Sequence, residues 1–554
     1  MRRFLWLAVL LAVAGCSSGG GEAGDDGAGD AGPDAADVEP DAAEEADDAP
    51  EEESGPPPLD LALGEVLELT AGEDGSFTAS LATPTPARQY GLVLYSARWA
   101  SGTVSYELSV TGAAASRLEG ATKELPGPPA RRPRDWLELI PSLARELREG
   151  TSHIARDPMP PPTVGERRTF QIQGDAGPAH TVEGECLAVG ADLALWMDRT
   201  TGGTTDPSAA LLSGVLAGSE EILMPRERQY FGEETDINTD GLINVLWSPV
   251  VGEIGASAFF FPCDLFDSTD MPLGCTVSNE QELVYSMPPE GFMADRPEAV
   301  LGTIAHEIQH LIYFGRKVIL GGASGGENAY VLEGWAELGA DVTGYGYGTF
   351  FQLGDTLDYS DDWGMWEILH SGGGYDTTGR SGMLYGAAYI WTRYVFDRMG
   401  GDSIATDESI VDEGGIAWAY GAVNSAREGR QNFEFSTGLD MDDLVFDFYT
   451  ALFLTGRTDA AGAPLPLEPR YTYLPQATDP LTTEPRGFDP YADFFGFMRL
   501  NGPHTVTPAT ADGTMRTTGN EMVVLDWDGT SPAMSVSVRG DEASSLRARL
   551  VRLR

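Results

Sequence analysis

Two histidines four residues apart, His306 and His310, with Glu307 beside the first, lie inside an apolar stripe of helical period. Val300, Ile304, Ile308, Leu311 and Ile312 recur at the three- and four-residue spacings of one buried helix face. At a separation of four, both imidazoles leave the helix on the same side. Asp295 is placed to N-cap this helix, Glu298 completes a capping box three residues later, and Pro297 is tolerated in the first turn. Gly315 suits its C-terminus. Neutral imidazoles at this spacing can grip one zinc ion. Glu307 can then reach water at the metal and take a proton from it. The chain has six histidines in 554 residues. The expected number of chance matches to such a pattern is roughly 0.005, so the motif carries weight.

A catalytic zinc keeps one position open for water, so a third protein ligand must come from elsewhere. A metzincin-like continuation is rejected, because Tyr313 and Arg316 stand where that pattern has glycine and histidine. After a Gly-rich connection comes Tyr330-Val331-Leu332-Glu333-Gly334-Trp335-Ala336-Glu337-Leu338-Gly339-Ala340-Asp341. It resembles the NEGxAE helix of gluzincins, with Leu332 where Asn is usual. The resemblance implies that Glu333 is the third zinc ligand and that Glu337, one turn on, orients His306. Tyr385-Gly386-Ala387-Ala388-Tyr389-Ile390-Trp391 begins another helix that ends near Gly400-Gly401. It resembles the gluzincin segment that supplies a tyrosine to the oxyanion. Tyr385 matches that place best, and Tyr389 is the alternative. The order of a strand-rich region, an Asp-rich loop and these three helices is similar to the hyicolysin family over about residues 164–455. The resemblance implies a thermolysin-like zincin domain.

The surrounding chain is too long for one hydrophobic core. Short β-like runs at Leu92–Tyr95 and Val104–Val110 suggest an accessory β-sandwich over 59–125. A linker over 126–163 contains a helical pattern from Trp136 to Leu147. After the 164–455 domain, residues 456–554 return to β runs such as Met522–Leu525 and Ser535–Val538. The expected fold class is therefore multidomain α+β, a zincin domain flanked by N-terminal and C-terminal β-sandwich-like domains.

The formal net charge of −51 argues against nucleic-acid binding, since a phosphate backbone would be repelled. Part of that charge lies in residues 21–53, with fifteen Asp or Glu and no Lys or Arg. Such a stretch cannot bury enough apolar surface to offset its ordering entropy, so 16–58 reads as an extended acidic linker. Before it, Arg2 and Arg3 precede an apolar run from Phe4 to Ala14, too short to span a bilayer. Val13-Ala14-Gly15-Cys16 resembles the lipobox of bacterial lipoproteins. By that resemblance residues 1–15 are removed, Cys16 carries lipid, and the protein is anchored in the outer membrane, facing the periplasm or the cell surface. Such a compartment permits disulfides. Cys263 and Cys275 flank a loop and are paired here, which leaves Cys186 over, buried. Asp236-Ile237-Asn238-Thr239-Asp240-Gly241 has the alternating oxygens and glycine turn of a calcium loop. Trp247 stands where an EF-hand has its bidentate Glu, so calcium at Asp236, Asn238 and Asp240 is weighed against an acidic turn without metal.

These readings converge on an expected activity, zinc-dependent hydrolysis of peptide bonds in proteins or large peptides. An aminopeptidase is the rival within the class, though no GxMEN-like strand is present to hold a free N-terminus. The rival outside it is a surface binding protein on a retired protease fold, which has no need of Glu307.

Overall fold

The computed structural model describes residues 58–113 and 136–554, apart from 73–74, 83–87, 175–177, 201–204, 324–326, 347, 349, 371–379, 495–497, 507–510, 528–530, 532 and 542–543. The signal segment, Cys16, most of the acidic linker and the start of the 126–163 linker lie outside the described residues.

Strand Thr103–Thr111 alternates exposed and buried positions, as a strand does when one sheet face covers a core. Its partners come from the far end of the chain. One four-stranded sheet runs Ala511–Arg516, Thr103–Thr111, Ala533–Gly540, Ser76–Ala82, and the facing sheet runs Val66–Glu68, Leu546–Arg552, Gln89–Ser96, Asn520–Asp526. Phe77, Leu81, Leu92, Leu108, Val536 and Leu550 fill the space between them. The two β-rich regions read from the sequence, 59–125 and 456–554, are thus one antiparallel sandwich. Neither end has enough strands to cover its own apolar face, and closure requires both.

Strand Gln89–Ser96 is buried on both faces. Tyr90, Leu92 and Leu94 enter the sandwich core, whereas Val93 and Tyr95 enter the large core of the α/β unit. Tyr95 stacks on Phe446 of helix Met441–Leu454 with ring centroids 5.4 Å apart. Gly91 permits this docking, since a Cβ there would lie 2.3 Å from the Phe453 ring. Arg549 reaches across to Asp447 at 2.8 Å.

The α/β unit is built on a six-stranded sheet, ordered Arg167–Ile172, His180–Val189, Leu193–Asp198, Ile243–Trp247, Leu283–Ser286, Ala258–Phe260. Leu193–Asp198, Ile243–Trp247 and Leu283–Ser286 run parallel, and their almost fully buried side chains are those of strands covered on both faces. Ala258–Phe260 is an antiparallel edge. The 3₁₀ turn Trp136–Leu139 leads into helix Ile140–Glu149. A disulfide joins Cys263 and Cys275, and Cys186 is buried and free. Among the described residues, no helix is long and apolar enough to cross a membrane.

Two boundary expectations are corrected. The first site helix is Pro297–Tyr313, and its N-cap is Arg296 without a side-chain cap, not Asp295. Proline at the first helical position lacks the N–H that a cap would satisfy and sets the start by its fixed φ. Nor does the helix stop at Gly315. It widens into a π-helical segment, Phe314–Leu320. Gly315 is there for space, since a Cβ would lie 2.9 Å from Thr235 Cγ2.

Candidate metal centre

Helices Pro297–Tyr313, Ala329–Thr343 and Ser381–Arg398 supply the site, the second packing against both of the others. The second begins at Asn328, whose side chain accepts from the Tyr330 N–H, and ends at left-handed Gly344. All of its residues are buried, so Glu333 and Glu337 face protein rather than water. Gly334 lets the second and third helices touch. A Cβ there would meet Ala388 O and Thr392 Oγ1, each at 2.6 Å.

His306, Glu307 and His310 each offer an atom within 4.8 Å of the others, a group able to hold a metal ion. Glu333 closes on the histidines more tightly. The two Nε2 atoms are 3.2 Å apart, and Glu333 Oε2 lies 3.2 Å from that of His306 and 3.6 Å from that of His310. On the other side of the His306 ring, Nδ1 lies 3.1 Å from Glu337 Oε1, whose second oxygen accepts from the Gly348 N–H at 2.8 Å. His310 Nδ1 is buried with no hydrogen-bond partner among the described residues.

Burial works against a charged His306, but contacts with Glu333 and Glu337 outweigh it and lift its pKa well above the usual range. Burial likewise resists ionisation of Glu333, and the histidines overcome it, holding that carboxyl below the ordinary range. Burial raises Glu307, with His306, His310 and the Phe260 N–H pulling the other way. A carboxylate raised from its ordinary value is a better proton acceptor near neutrality.

Of the two tyrosines weighed, Tyr385 lies at the cleft. Its hydroxyl is 3.3 Å from His306 Nε2, and it lines the same cavity as His306 and Glu307. Tyr389 is fully buried and donates to Asp341 Oδ2 at 3.1 Å.

Asp236, Asn238 and Asp240 come together in one turn, but their oxygens serve the loop itself. Asp236 Oδ1 accepts from the Gly241 N–H, Asn238 Oδ1 from Asp240, and Asp240 Oδ1 from Leu242. Thr239 and Gly241 take the left-handed backbone such a turn requires. The turn is accounted for by these bonds.

No local pattern announces the cleft's far wall, which comes from chain about 140 residues beyond the second helix, from Thr343 to Glu484. Glu484, Pro485 and Phe494 line the cavity. Their segment is clamped by two ion pairs, Arg226 Nη1 to Asp479 at 2.8 Å and Arg486 to Asp402 at 2.5 Å, and by a hydrogen bond that the Gly487 N–H donates to Asp341 Oδ1 at 2.8 Å. Scattered Arg and Asp residues carry no local period that could announce such a clamp.

No family model matches the chain, and no curated protein matches it in sequence.

Proposed function

We propose that the chain is a zinc-dependent endopeptidase of gluzincin type, closest to the hyicolysin family. The observation that carries this reading is the spacing of three atoms. A tetrahedral zinc with arms of ~2.0–2.1 Å needs ligand atoms about 3.3–3.4 Å apart. His306 Nε2, His310 Nε2 and Glu333 Oε2 stand at 3.2, 3.2 and 3.6 Å, and the donor set of two imidazoles and one carboxylate suits a catalytic rather than a structural zinc.

When bound there, zinc supplies Lewis acidity, polarising a carbonyl and lowering the pKa of water towards neutrality. The remaining work falls to the chain. Glu307 takes the proton of the attacking water and passes it to the leaving amine. Tyr385 offers an O–H to the oxyanion. Glu337 holds His306 by Nδ1, which leaves Nε2 free to bind metal. The edge strand Ala258–Phe260 borders the same cleft, with Ala258 lining it, and an extended peptide can add to a free sheet edge. The turn at Asp236 needs no calcium for its geometry, so the proposal carries zinc alone. Anchorage through lipid on Cys16 belongs to the same proposal, and Cys16→Ser should move the protein to the soluble fraction.

The test is hydrolysis of casein by the full chain, with and without a zinc chelator, beside Glu307→Gln. The variant should keep zinc, because Glu307 is not among the three ligands, and lose most turnover. Equal hydrolysis by variant and wild type removes the mechanism. A wild type with zinc but no hydrolysis of any peptide favours the binding-protein alternative.

A further inference from the structure

Polar residues recur at intervals of four on two of the site helices. Glu333, Glu337 and Asp341 lie on the second, and Tyr385, Tyr389, Arg393 and Asp397 on the third. At that spacing each set forms one stripe along its helix. The leading members serve the metal centre: Glu333 and Glu337 at His306, and Tyr385 with its hydroxyl 3.3 Å from His306 Nε2. The trailing members meet at Asp341, which is fully buried. Its Oδ2 accepts from the Tyr389 hydroxyl at 3.1 Å and from Arg393 Nη1 at 2.8 Å. Its Oδ1 accepts from the Gly487 N–H at 2.8 Å, just beyond Pro485, which lines the cavity. Arg393 goes on to Asp397 at 2.8 Å. Three donors, one of them a guanidinium, offset the cost of burying the Asp341 carboxylate. That one side chain therefore joins its own helix, the helix of Tyr385 and the far wall of the cleft.

We infer that Asp341 is a positioning residue for the hydrolysis: it sets the Tyr385 hydroxyl at the metal centre through Tyr389 and Arg393, and it holds the far wall through Gly487. The inference rests on the peptidase reading and adds a residue to it. Apolar contact is non-directional, whereas a hydrogen bond has narrow geometry. Bonds made one turn from Tyr385 thus fix where its helix stands along the second. A donor to a developing oxyanion acts in the transition state, so an error in placing it is read in kcat. The wall meets bound substrate, so its loosening is read in KM.

The experiment is a double-mutant cycle on the full chain, with kcat, KM and zinc content measured for each protein. Tyr385→Phe removes the oxyanion donor and should lower kcat about 100-fold. Tyr389→Phe removes only a buried hydroxyl and should lower kcat about tenfold by displacing Tyr385, with KM and zinc content unchanged. In a Tyr385→Phe background, Tyr389→Phe should cost nothing more, because the group it positions is gone. Asp341→Asn keeps one acceptor oxygen, so either the Gly487 N–H or the Tyr389 and Arg393 donors lose theirs, and kcat/KM should fall further than in Tyr389→Phe. Losses from the two tyrosine variants that multiply, or a Tyr389→Phe protein with the kcat of wild type, overturn the inference. A second readout does without turnover. In the zinc-free chain with labelled histidine, Tyr385→Phe should shift the His306 ring resonances, and Tyr389→Phe should shift them the same way. His306 signals that Tyr389→Phe leaves unmoved also overturn the inference. A wild type that cleaves nothing, yet shows both shifts, removes the peptidase reading and leaves the tie through Asp341 standing.

Discussion

At the scale of single residues, the two histidines are held unequally. His306 is fixed from behind by Glu337 at 3.1 Å, while His310 Nδ1 has no hydrogen-bond partner among the described residues. The ring whose tautomer is set is therefore His306, and Glu337 does the setting. Glu337→Ala should weaken zinc affinity or the turnover rate about 10- to 100-fold. Glu333→Ala, which removes the third of the proposed ligands, should lose the metal outright. Zinc titration against a competing chelator distinguishes the two, and a Glu333→Ala protein with full zinc and full activity refutes the ligand set. These residues were legible in the sequence because their chemistry is local. Two histidines on one helix turn and two glutamates on another keep their spacing in any fold. The choice between Tyr385 and Tyr389 was not legible. Both lie on one helix face, and only the position of Asp341 on the second helix shows that Tyr389 is occupied.

At the scale of elements, the site depends on how closely the second and third helices approach. Gly334 sits next to Glu333 in sequence and has no room for a methyl group, with Ala388 O and Thr392 Oγ1 at 2.6 Å from where it would stand. Gly334→Ala must push the helices apart or bend one of them. Overpacking of this kind costs about 1–3 kcal/mol, and here the displacement also carries Glu333 away from the histidines. Both the melting temperature and zinc affinity should fall. Gly354→Ala is the control, on helix Phe350–Asp358 with nothing within 4 Å of the added carbon. It should be neutral or slightly stabilising, since alanine is the better helix former. If the two variants melt together, the close approach has no energetic weight. Sequence alone shows the helices but not this contact, because a helix period reports which face is buried and not what lies against it. The same limit misplaced the start of the first helix by one residue and ended it too early at Gly315.

At the scale of the whole molecule, the strands near both ends were legible as strands, while their union in one sandwich was not. Gln89 pairs with Asp526, and Val66 with Val551; alternation along a strand says nothing about a partner more than 400 residues away. The closed fold buries carboxyl groups in several places, and this has a consequence for pH. Burial raises Asp264 and Glu282 to about 7, and Asp397 to about 6. Glu521, within the sandwich, also rises from 4.5 to about 7, mainly by burial, while its hydrogen bond from Tyr106 works the other way. An acid whose folded pKa exceeds its unfolded value binds more protons in the fold. Its stabilising contribution is complete below the unfolded pKa and is lost as pH rises through the folded one. For Glu521 that window runs from about 4.5 to about 7. Metal binding acts in the opposite direction, because protons compete for the histidines, so melting curves of wild type alone mix two effects. Glu521→Gln separates them. It stays neutral at every pH, can still accept from Tyr106, and lies in the sandwich rather than at the metal centre. The difference in melting temperature, variant minus wild type, should therefore be small near pH 5 and grow by several degrees towards pH 8, on the order of a few kcal/mol of linkage. Two curves that stay parallel across this range would show that Glu521 titrates alike in the folded and unfolded chain.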